Sequence, residues 1–237
     1  MSTYVISDIH GEYELFIQLL DKIRLQDSDT LYILGDVLDR GPHPVKTLLK
    51  LMDMPNAICM VGNHEFMALE CLNIFMQEVT DDFLEKLDIK EFENYLEWLE
   101  NGGQTTIDEL CALDKGTRKE IQNFLGELLV YEEITVAGRD YVLVHAGIGN
   151  FSPNTGLEEY GIYELVWSRP DYSIPYYEDR YVITGHTPTQ LIKGNEKPGY
   201  IYKNKNHIAI DCGSYRPDGR LAAICLDTWE EFYAEKN

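Results

Sequence analysis

The first 76 residues alternate between short apolar runs and amphipathic stretches, and this alternation constrains the fold more than any other feature of the chain. The apolar runs at 3–7, 30–34 and 57–61 predict buried strands, and the stretches that follow them predict helices. Those predicted helices span 12–24, 44–52 and 65–76. Strands that alternate with helices favour βαβ units and a largely parallel sheet, so the pattern predicts an α/β fold.

The pattern changes twice after residue 76. Residues 77–130 are acidic and helical with no strand signal, which indicates a helical insertion. Beyond it, the segments 132–147, 180–188, 207–213 and 221–227 predict strands, the first of them a hairpin with its turn at 138–140. The C-terminal half is therefore predicted to be β-rich, with mixed or antiparallel pairing. We expect a single domain over residues 1–237 that contains a helical insertion at about 77–130.

The charge balance limits the partners of this chain. Its 237 residues carry a formal net charge of −21, from 20 basic and 41 acidic residues. Such a surface repels phosphate backbones, so we expect no nucleic-acid partner. The sequence contains no apolar run long enough to cross a bilayer, which argues against a membrane partner. Nothing in the sequence indicates the oligomeric state.

Cysteine usage and the N-terminus bear on localisation. The five cysteines form no C-x-x-C motif and are odd in number, which favours reduced thiols. The N-terminal residues show neither a basic region nor a long apolar stretch, so no signal peptide is visible. Both observations favour a cytoplasmic protein.

Five of the predicted strands end in a polar cluster. Ligands of α/β proteins gather where strands deliver their C-terminal ends, so these clusters are expected to meet. Carboxylate, amide and imidazole groups without thiolate suit Mn²⁺, Fe or Zn better than a soft, thiolate-bound metal. The candidate metal ligands are Asp8, His10, Asp36, Asn63, His145 and His186.

The composition of this set indicates two metal ions. A carboxylate can bridge two cations through its two oxygens, and Asp36 is placed to do so. Asp8 and His10, two residues apart on an extended segment, are expected to project to the same side and hold the first ion. The second ion is assigned to Asn63, His145 and His186. Taken singly, each residue is ordinary as a turn former, a helix cap or a buried histidine, and it is their joint occurrence that favours a metal site.

The clusters resemble the sequence blocks of the metallophosphoesterase superfamily, and within it the phosphoprotein phosphatases (the PPP family). The blocks are S-D-I-H-G at 7–11, G-D-V-L-D-R-G at 35–41, G-N-H-E at 62–65, H-A-G at 145–147 and G-H-T at 185–187. The only departure is Ser7, where the family has glycine. The chain most resembles the short bacterial and phage branch typified by bacteriophage lambda protein phosphatase, whose segments are also similar to W-L-E-N-G-G at 98–103 and V-W-S-R-P at 166–170.

This resemblance implies a fold and a chemistry. The fold would be a central β-sandwich of mixed sheets flanked by helices. Two divalent ions, Mn²⁺ first and Fe or Zn as alternatives, would share a hydroxide that attacks phosphorus directly. His64 would protonate the leaving alkoxide, and Asp39 would hold its other ring nitrogen and favour its acid form. Arg40 and Arg169 would fork onto the phosphate oxygens.

The predicted activity is metal-dependent hydrolysis of phosphomonoesters, with a serine or threonine phosphoprotein or a small phosphoester as substrate. A dinucleoside polyphosphate hydrolase is the first alternative, but those relatives tend to lack one of the acids that stand here as Asp39 and Glu65. Phosphodiesterase activity and a non-catalytic metal-binding scaffold are further alternatives. His207 and His43 are expected to be a structural residue and a loop residue.

Overall fold

The structure, a computed structural model, describes residues 1–76 and 89–236. Its first strands, β1 (Thr3–Ile6), β2 (Thr30–Ile33) and β3 (Ala57–Cys59), pair in parallel, as predicted. The helices α1 (Tyr13–Ile23) and α2 (Pro44–Met52) connect them. Pro44 opens α2, where a missing N–H group leaves no hydrogen bond unmade.

The remaining α-helices of the described residues come before the second run of strands, except the short α7, which lies within that run. They are α3 (Asn63–Met76), α4 (Ile89–Glu100), α5 (Gln104–Cys111), α6 (Lys115–Gly126) and the short α7 (Ile162–Val166). Helices α4 to α6 occupy the described part of the predicted helical insertion, and residues 77–88 of that prediction lie outside the described residues. None of the described helices is both long enough and apolar enough to cross a membrane.

The second run of strands completes two mixed sheets. It comprises β4 (Tyr131–Val136), β5 (Arg139–Val144), β6 (Tyr181–Thr184), β7 (Tyr202–Asn204), β8 (His207–Ala209), β9 (Arg220–Cys225) and β10 (Glu231–Glu235). One sheet has the order β10-β9-β1-β2-β3 and the other β4-β5-β6-β8-β7. Strand β9 runs antiparallel to β1, whereas β6 runs parallel to both β5 and β8.

The two sheets pack face to face, which gives the central sandwich that the resemblance implied. Val5 and Ile224 of the first sheet share one buried cluster with Leu143, Ile183 and Ile208 of the second. Because side chains alternate along a strand, the neighbours of Val5 point to the opposite face. There they pack against α1 and α2, so helices cover the outer face of the first sheet. The predicted α/β fold with mixed sheets is confirmed.

The strand predictions failed at the edges of the sheets. Strands β7 and β10 lie outside the predicted strand segments. Both are edge strands, in which one side of the backbone is unpaired and the residues need not be continuously apolar. The hairpin turn also lies at Ala137 and Gly138, both with positive φ, rather than at 138–140.

Candidate metal centre and active site

The loops that follow β1, β2, β3, β5 and β6 bring the six predicted metal ligands together at one end of the sandwich. Five of these side chains are buried, and the sixth, His186, is half-buried. Among the described His, Cys, Asp and Glu side chains, two overlapping sets have donor atoms within 4.8 Å of one another: His10 with Asp36 and His64, and Asp36 with His145 and His186. The sequence assigns His64 to proton transfer, so we define the two groups by the predicted ligands. We call Asp8, His10 and Asp36 the first donor group, and Asp36, Asn63, His145 and His186 the second donor group.

Asp36 lies between the two groups and belongs to both. Its Oδ2 atom is 3.7 Å from Nε2 of His10, and its Oδ1 atom is 3.3 Å from Nε2 of His145. The two oxygens of one carboxylate therefore face two different sets of donor atoms. This is the arrangement that a carboxylate shared by two cations requires.

The second donor group is the tighter of the two. Oδ1 of Asn63 lies 3.0 Å from Nε2 of His145 and 2.9 Å from Nδ1 of His186. Nδ1 of His145 donates to the carbonyl oxygen of Leu34 at 2.7 Å, which orients Nε2 toward the other donor atoms. Two imidazole nitrogens, an amide oxygen and a carboxylate oxygen thus converge on one small volume, and this donor set fits a divalent ion such as Mn²⁺ or Zn²⁺.

The first donor group is built by turns rather than by an extended segment. Nε2 of His10 lies 4.0 Å from Oδ1 of Asp8, and Nδ1 of His10 donates to the carbonyl oxygen of Leu38 at 2.9 Å. The prediction that an extended backbone aligns Asp8 with His10 is wrong. Strand β1 ends at Ile6, and both residues have left-handed backbones, with φ of 52° and 48°. The left-handed conformations of these two residues, rather than an extended segment, bring their side chains together.

Left-handed backbone conformations recur throughout the site. Residues other than glycine seldom adopt positive φ, although asparagine, aspartate and histidine do so more often than the rest, and such positions cluster where function constrains the chain. Six of the predicted site residues adopt it here: Asp8, His10, Asp36, Asp39, Arg40 and His186.

The electrostatics of the site are those of several ionisable groups held close together in a buried space. Burial, followed by repulsion from Asp211 and Asp36, raises the pKa of Asp8 well above its usual value. Burial lowers the pKa of His186 to about 3, and the neighbouring His145 adds to the effect. For His145 burial alone would lower the pKa, but the adjacent Asp36 carboxylate outweighs it and raises the pKa to about 9. A divalent cation would relieve the repulsion among the carboxylates and would displace the proton of His145.

Glu65 fixes the loop that carries Asp36. Its buried carboxylate accepts hydrogen bonds from the backbone N–H groups of Asp36 at 2.7 Å, Val37 at 2.8 Å and Leu38 at 3.1 Å. It also accepts one from Gly62 at 2.9 Å, so it ties the loops after β2 and β3 together. A Cβ atom at Gly62 would collide with the Asp36 carboxylate, and glycine is therefore required there.

His64 and Asp39 form a buried pair beside the two donor groups. Nδ1 of His64 lies 2.6 Å from Oδ2 of Asp39, which assigns the ring proton to Nδ1 in the neutral form. The opposite ring nitrogen, Nε2, lies 3.9 Å from Oδ2 of Asp36 and has no hydrogen-bond partner among the described residues. Asp39 therefore holds the Nδ1 edge of this imidazole in place, while the Nε2 edge points toward the candidate metal centre.

Comparison with known proteins decides the family. The profile of the calcineurin-like phosphoesterase family matches residues 1–190. The chain belongs to this family. The expected resemblance to metallophosphoesterases is thereby confirmed, and the donor groups described above lie within the matched residues.

Relatives of this phosphoesterase carry two different names. Serine/threonine-protein phosphatase 2 of Salmonella typhimurium is 29% identical over 219 residues, which cover 90% of this chain and 87% of that one. A symmetrical bis(5'-nucleosyl)-tetraphosphatase of Salmonella paratyphi A is 31% identical over 112 residues, or 46% of this chain and 40% of that one. The crystal structure of a candidate diadenosine tetraphosphatase superposes with a TM-score of 0.67 at 16% identity, covering 99% of this chain and 94% of that one, and supports the fold alone.

The two predicted phosphate-binding arginines of the phosphoesterase differ in environment. Arg40 is half-buried, its Nη1 atom lies 2.7 Å from Nε2 of His10, and its guanidinium stacks over the Tyr215 ring at 4.5 Å. Arg169 is exposed and contributes to the electrostatic environment of His186. It lies on the rim of a groove of about 610 Å³ between the loop after α7 and the loop after β6.

Sequence reasoning missed several residues of the site. Asp211 is buried, and burial raises its pKa to about 6. It lies near the end of the predicted strand segment 207–213, just beyond the end of β8, so the rule that found the other ligands could have found it as well. Tyr215 and Thr106 gave no local signal, since each contacts a residue that is remote in sequence. Among the remaining histidines, His207 donates to the carbonyl oxygen of Ile174 at 2.8 Å, and His43 pairs with Glu109 at 3.3 Å.

Proposed function

We propose that this phosphoesterase hydrolyses phosphomonoesters with two divalent metal ions, and that its substrate is a phosphoserine or phosphothreonine side chain of a protein. The observation that carries the proposal is the position of Asp36, whose two oxygens face separate donor groups. A ligand shared in this way would hold two ions close enough together to act on one phosphate.

Each donor group is assigned one ion. Asp8, His10 and Asp36 would hold the first, and Asp36, Asn63, His145 and His186 the second. Mn²⁺ fits this oxygen- and nitrogen-rich set, and Fe or Zn would fit it as well. When bound, the ions would act as Lewis acids and lower the pKa of a bound water, so that a nucleophile is available at neutral pH.

The chain itself supplies proton transfer and phosphate binding. His64, when protonated on both ring nitrogens, would give the proton of Nε2 to the leaving oxygen, because that nitrogen is buried, faces the centre and has no hydrogen-bond partner among the described residues. Asp39 holds Nδ1 and so keeps the ring in one orientation. Arg40 and Arg169 would bind the phosphate oxygens, and their charges would concentrate a dianion at one point of an acidic protein.

Two features favour a protein phosphatase over a dinucleoside polyphosphate hydrolase. The similarity to the serine/threonine-protein phosphatase extends over 90% of this chain, whereas that to the tetraphosphatase extends over 46%. The chain also retains both Asp39 and Glu65, and each makes several hydrogen bonds in the site. The tetraphosphatase activity is kept as the second candidate, because that relative is slightly more identical where it aligns.

A substrate panel tests the proposal. The full chain with saturating Mn²⁺ would be given a phosphoserine peptide, diadenosine tetraphosphate, 4-nitrophenyl phosphate and bis(4-nitrophenyl) phosphate. We expect the phosphopeptide and the aryl monoester to be turned over faster than the other two. Preferential cleavage of diadenosine tetraphosphate would establish the second candidate, and preference for the diester would establish a phosphodiesterase. Absence of turnover with all four substrates would favour the alternative that the metal centre has only a structural role.

The setting proposed for this activity is a reducing, cytoplasmic one. All five cysteines are free, and four of them are buried. The net charge of −21 argues against a nucleic-acid substrate, so the phosphoester is assigned to a protein or a small molecule.

A further inference from the structure

The segment W-L-E-N-G-G-Q-T-T at 98–106 lies against the His64–Asp39 pair, although it contributes no metal ligand. Nε1 of Trp98 donates to Oδ2 of Asp39 at 2.9 Å, and Oγ1 of Thr106 donates to Oδ1 at 2.5 Å. The same Thr106 oxygen accepts the backbone N–H of Asp39 at 3.0 Å. Each of these three side chains is fully buried.

These contacts determine the orientation of the Asp39 carboxylate. Its Oδ2 atom accepts from both His64 and Trp98, and its Oδ1 atom accepts from Thr106, so donors on both sides prevent the group from rotating. The orientation of the carboxylate in turn sets the orientation of the imidazole that it holds. A displacement of the proton donor by about 1 Å can slow a reaction roughly 10²-fold.

The two glycines of the segment allow the close approach. A Cβ atom at Gly103 would lie 2.7 Å from two atoms of the Trp98 indole, so a larger residue there would push the ring away from Asp39. Gly102 has φ of +101°, and its carbonyl oxygen accepts the backbone N–H of Arg40 at 3.0 Å. One turn thus supports both Asp39 and the neighbouring Arg40.

We propose that Thr106 and Trp98 are positioning residues, which act through Asp39 to hold His64 where it can protonate the leaving group. This inference rests on the proposed function, because it requires His64 to act as the proton donor. It assigns to the helical segment after residue 88 a part in the reaction rather than only in folding.

The test exploits the dependence on the leaving group. A poor leaving group such as the alkoxide of phosphoserine needs a proton, whereas 4-nitrophenolate needs little assistance. In Thr106→Val, which removes only the hydroxyl, we expect kcat for a phosphoserine peptide to fall about 10- to 100-fold and kcat for 4-nitrophenyl phosphate to fall less than about 3-fold. Trp98→Phe should show the same selectivity more weakly, and Thr106→Ser should restore peptide turnover.

The chain offers a matched control at the adjacent position. Thr105 lies on the same helix, and its buried hydroxyl has no hydrogen-bond partner among the described residues. Thr105→Val should therefore leave kcat for both substrates unchanged. All variants would be compared at equal metal content, well below their melting temperatures.

Several outcomes would overturn the inference. Equal losses on both substrates in Thr106→Val would mean that the residue only maintains the shape of the site, and unchanged turnover would mean that Asp39 does not need it. A loss in Thr105→Val equal to that in Thr106→Val would point to the helix as a whole. If the wild-type protein cleaved neither substrate, the proposed function itself would fail, and this inference with it.

Discussion

Nδ1 of His64 lies 2.6 Å from Oδ2 of Asp39, and both side chains are fully buried. The pair stands beside two donor groups that share Asp36, so the proposed proton donor and the candidate metal centre lie next to each other. Each part can be removed separately, because the ligands of one group and the partners of the pair are different residues.

Replacing the proton donor should affect turnover without affecting metal binding. In His64→Asn we expect both ions to be retained, because the predicted ligands do not include this side chain, although it lies close to His10 and Asp36. Turnover of a phosphoserine peptide should fall about 10²–10⁴-fold, the usual range for a lost general acid. Metal content measured by elemental analysis, together with kcat, checks this prediction. Loss of an ion from the variant would instead indicate that His64 is a metal ligand. The distance of 3.9 Å between Nε2 of His64 and Oδ2 of Asp36 is compatible with an ion bound by both atoms.

Replacing the shared carboxylate should remove metal and activity together. Asp36→Asn removes a negative charge and one of the oxygens that face His10 and His145. Saturating Mn²⁺ should raise the melting temperature of the wild-type protein, since a ligand at 100 times its Kd stabilises the folded state by about 2.7 kcal/mol. The variant should show no such increase, and chelation should abolish wild-type activity. Full activity of Asp36→Asn would refute the bridging assignment.

Glu65 should matter for stability as well as for activity. Its carboxylate accepts four backbone N–H groups from the loops after β2 and β3. In Glu65→Gln the amide nitrogen would face N–H donors, and at least one of them would lose its acceptor, at a cost of about 1–3 kcal/mol in the free energy of unfolding. Urea denaturation measures the difference. Glu93→Gln, which changes an exposed glutamate of α4, is the control and should be close to wild type.

The sequence predicted the parts of this structure that depend on local patterns. Strands β1 to β3 and their helices are marked by apolar periodicity, and the six candidate ligands are marked by polar clusters at strand ends. Left-handed turns at Asp8 and His10 could not be predicted, because aspartate and histidine adopt them only where the surrounding structure imposes them.

Contacts between remote side chains gave no signal of this kind. Trp98 and Thr106 lie 59 and 67 residues from Asp39 along the chain, yet both donate to its carboxylate. Tertiary packing determines which remote side chains meet, and the spacing of residues within either segment does not predict it. Only a family resemblance marks the motif at 98–103 in the sequence, and only the structure shows that it contacts Asp39.

Asp29 provides a prediction about pH and stability outside the site. Burial raises the pKa of its carboxyl, but the N–H groups of Gln26 at 3.0 Å and Ser2 at 2.7 Å outweigh burial and lower it. A group whose pKa is lowered by folding stabilises the protein above its unfolded pKa of about 3.9, and this contribution is lost as pH falls through the folded value. Asp29→Asn should therefore be less stable than wild type by about 1 kcal/mol at pH 7.

The difference in the free energy of unfolding between wild type and Asp29→Asn should be constant down to about pH 5 and should shrink below about pH 4. Asp27→Asn, an exposed neighbour with the same change of charge, is the control. A stability difference for Asp29→Asn that did not change with pH would assign the effect to packing rather than to the ionised carboxylate.

Arg169 should contribute to substrate binding rather than to the chemical step. Its side chain is exposed on the rim of the groove, and no ion pair holds it among the residues that the structure describes. In Arg169→Ala we expect KM for the phosphopeptide to rise about 3- to 30-fold, less than a buried charged hydrogen bond would give because solvent screens the charge. The value of kcat should change less than about 3-fold, since binding that is equal in the ground state and the transition state affects only KM. Lys197→Ala removes a positive charge that does not line the groove, and it should leave both constants unchanged. A fall in kcat at constant KM would instead mean that Arg169 stabilises the transition state. No change in either constant would mean that Arg169 does not contact the substrate.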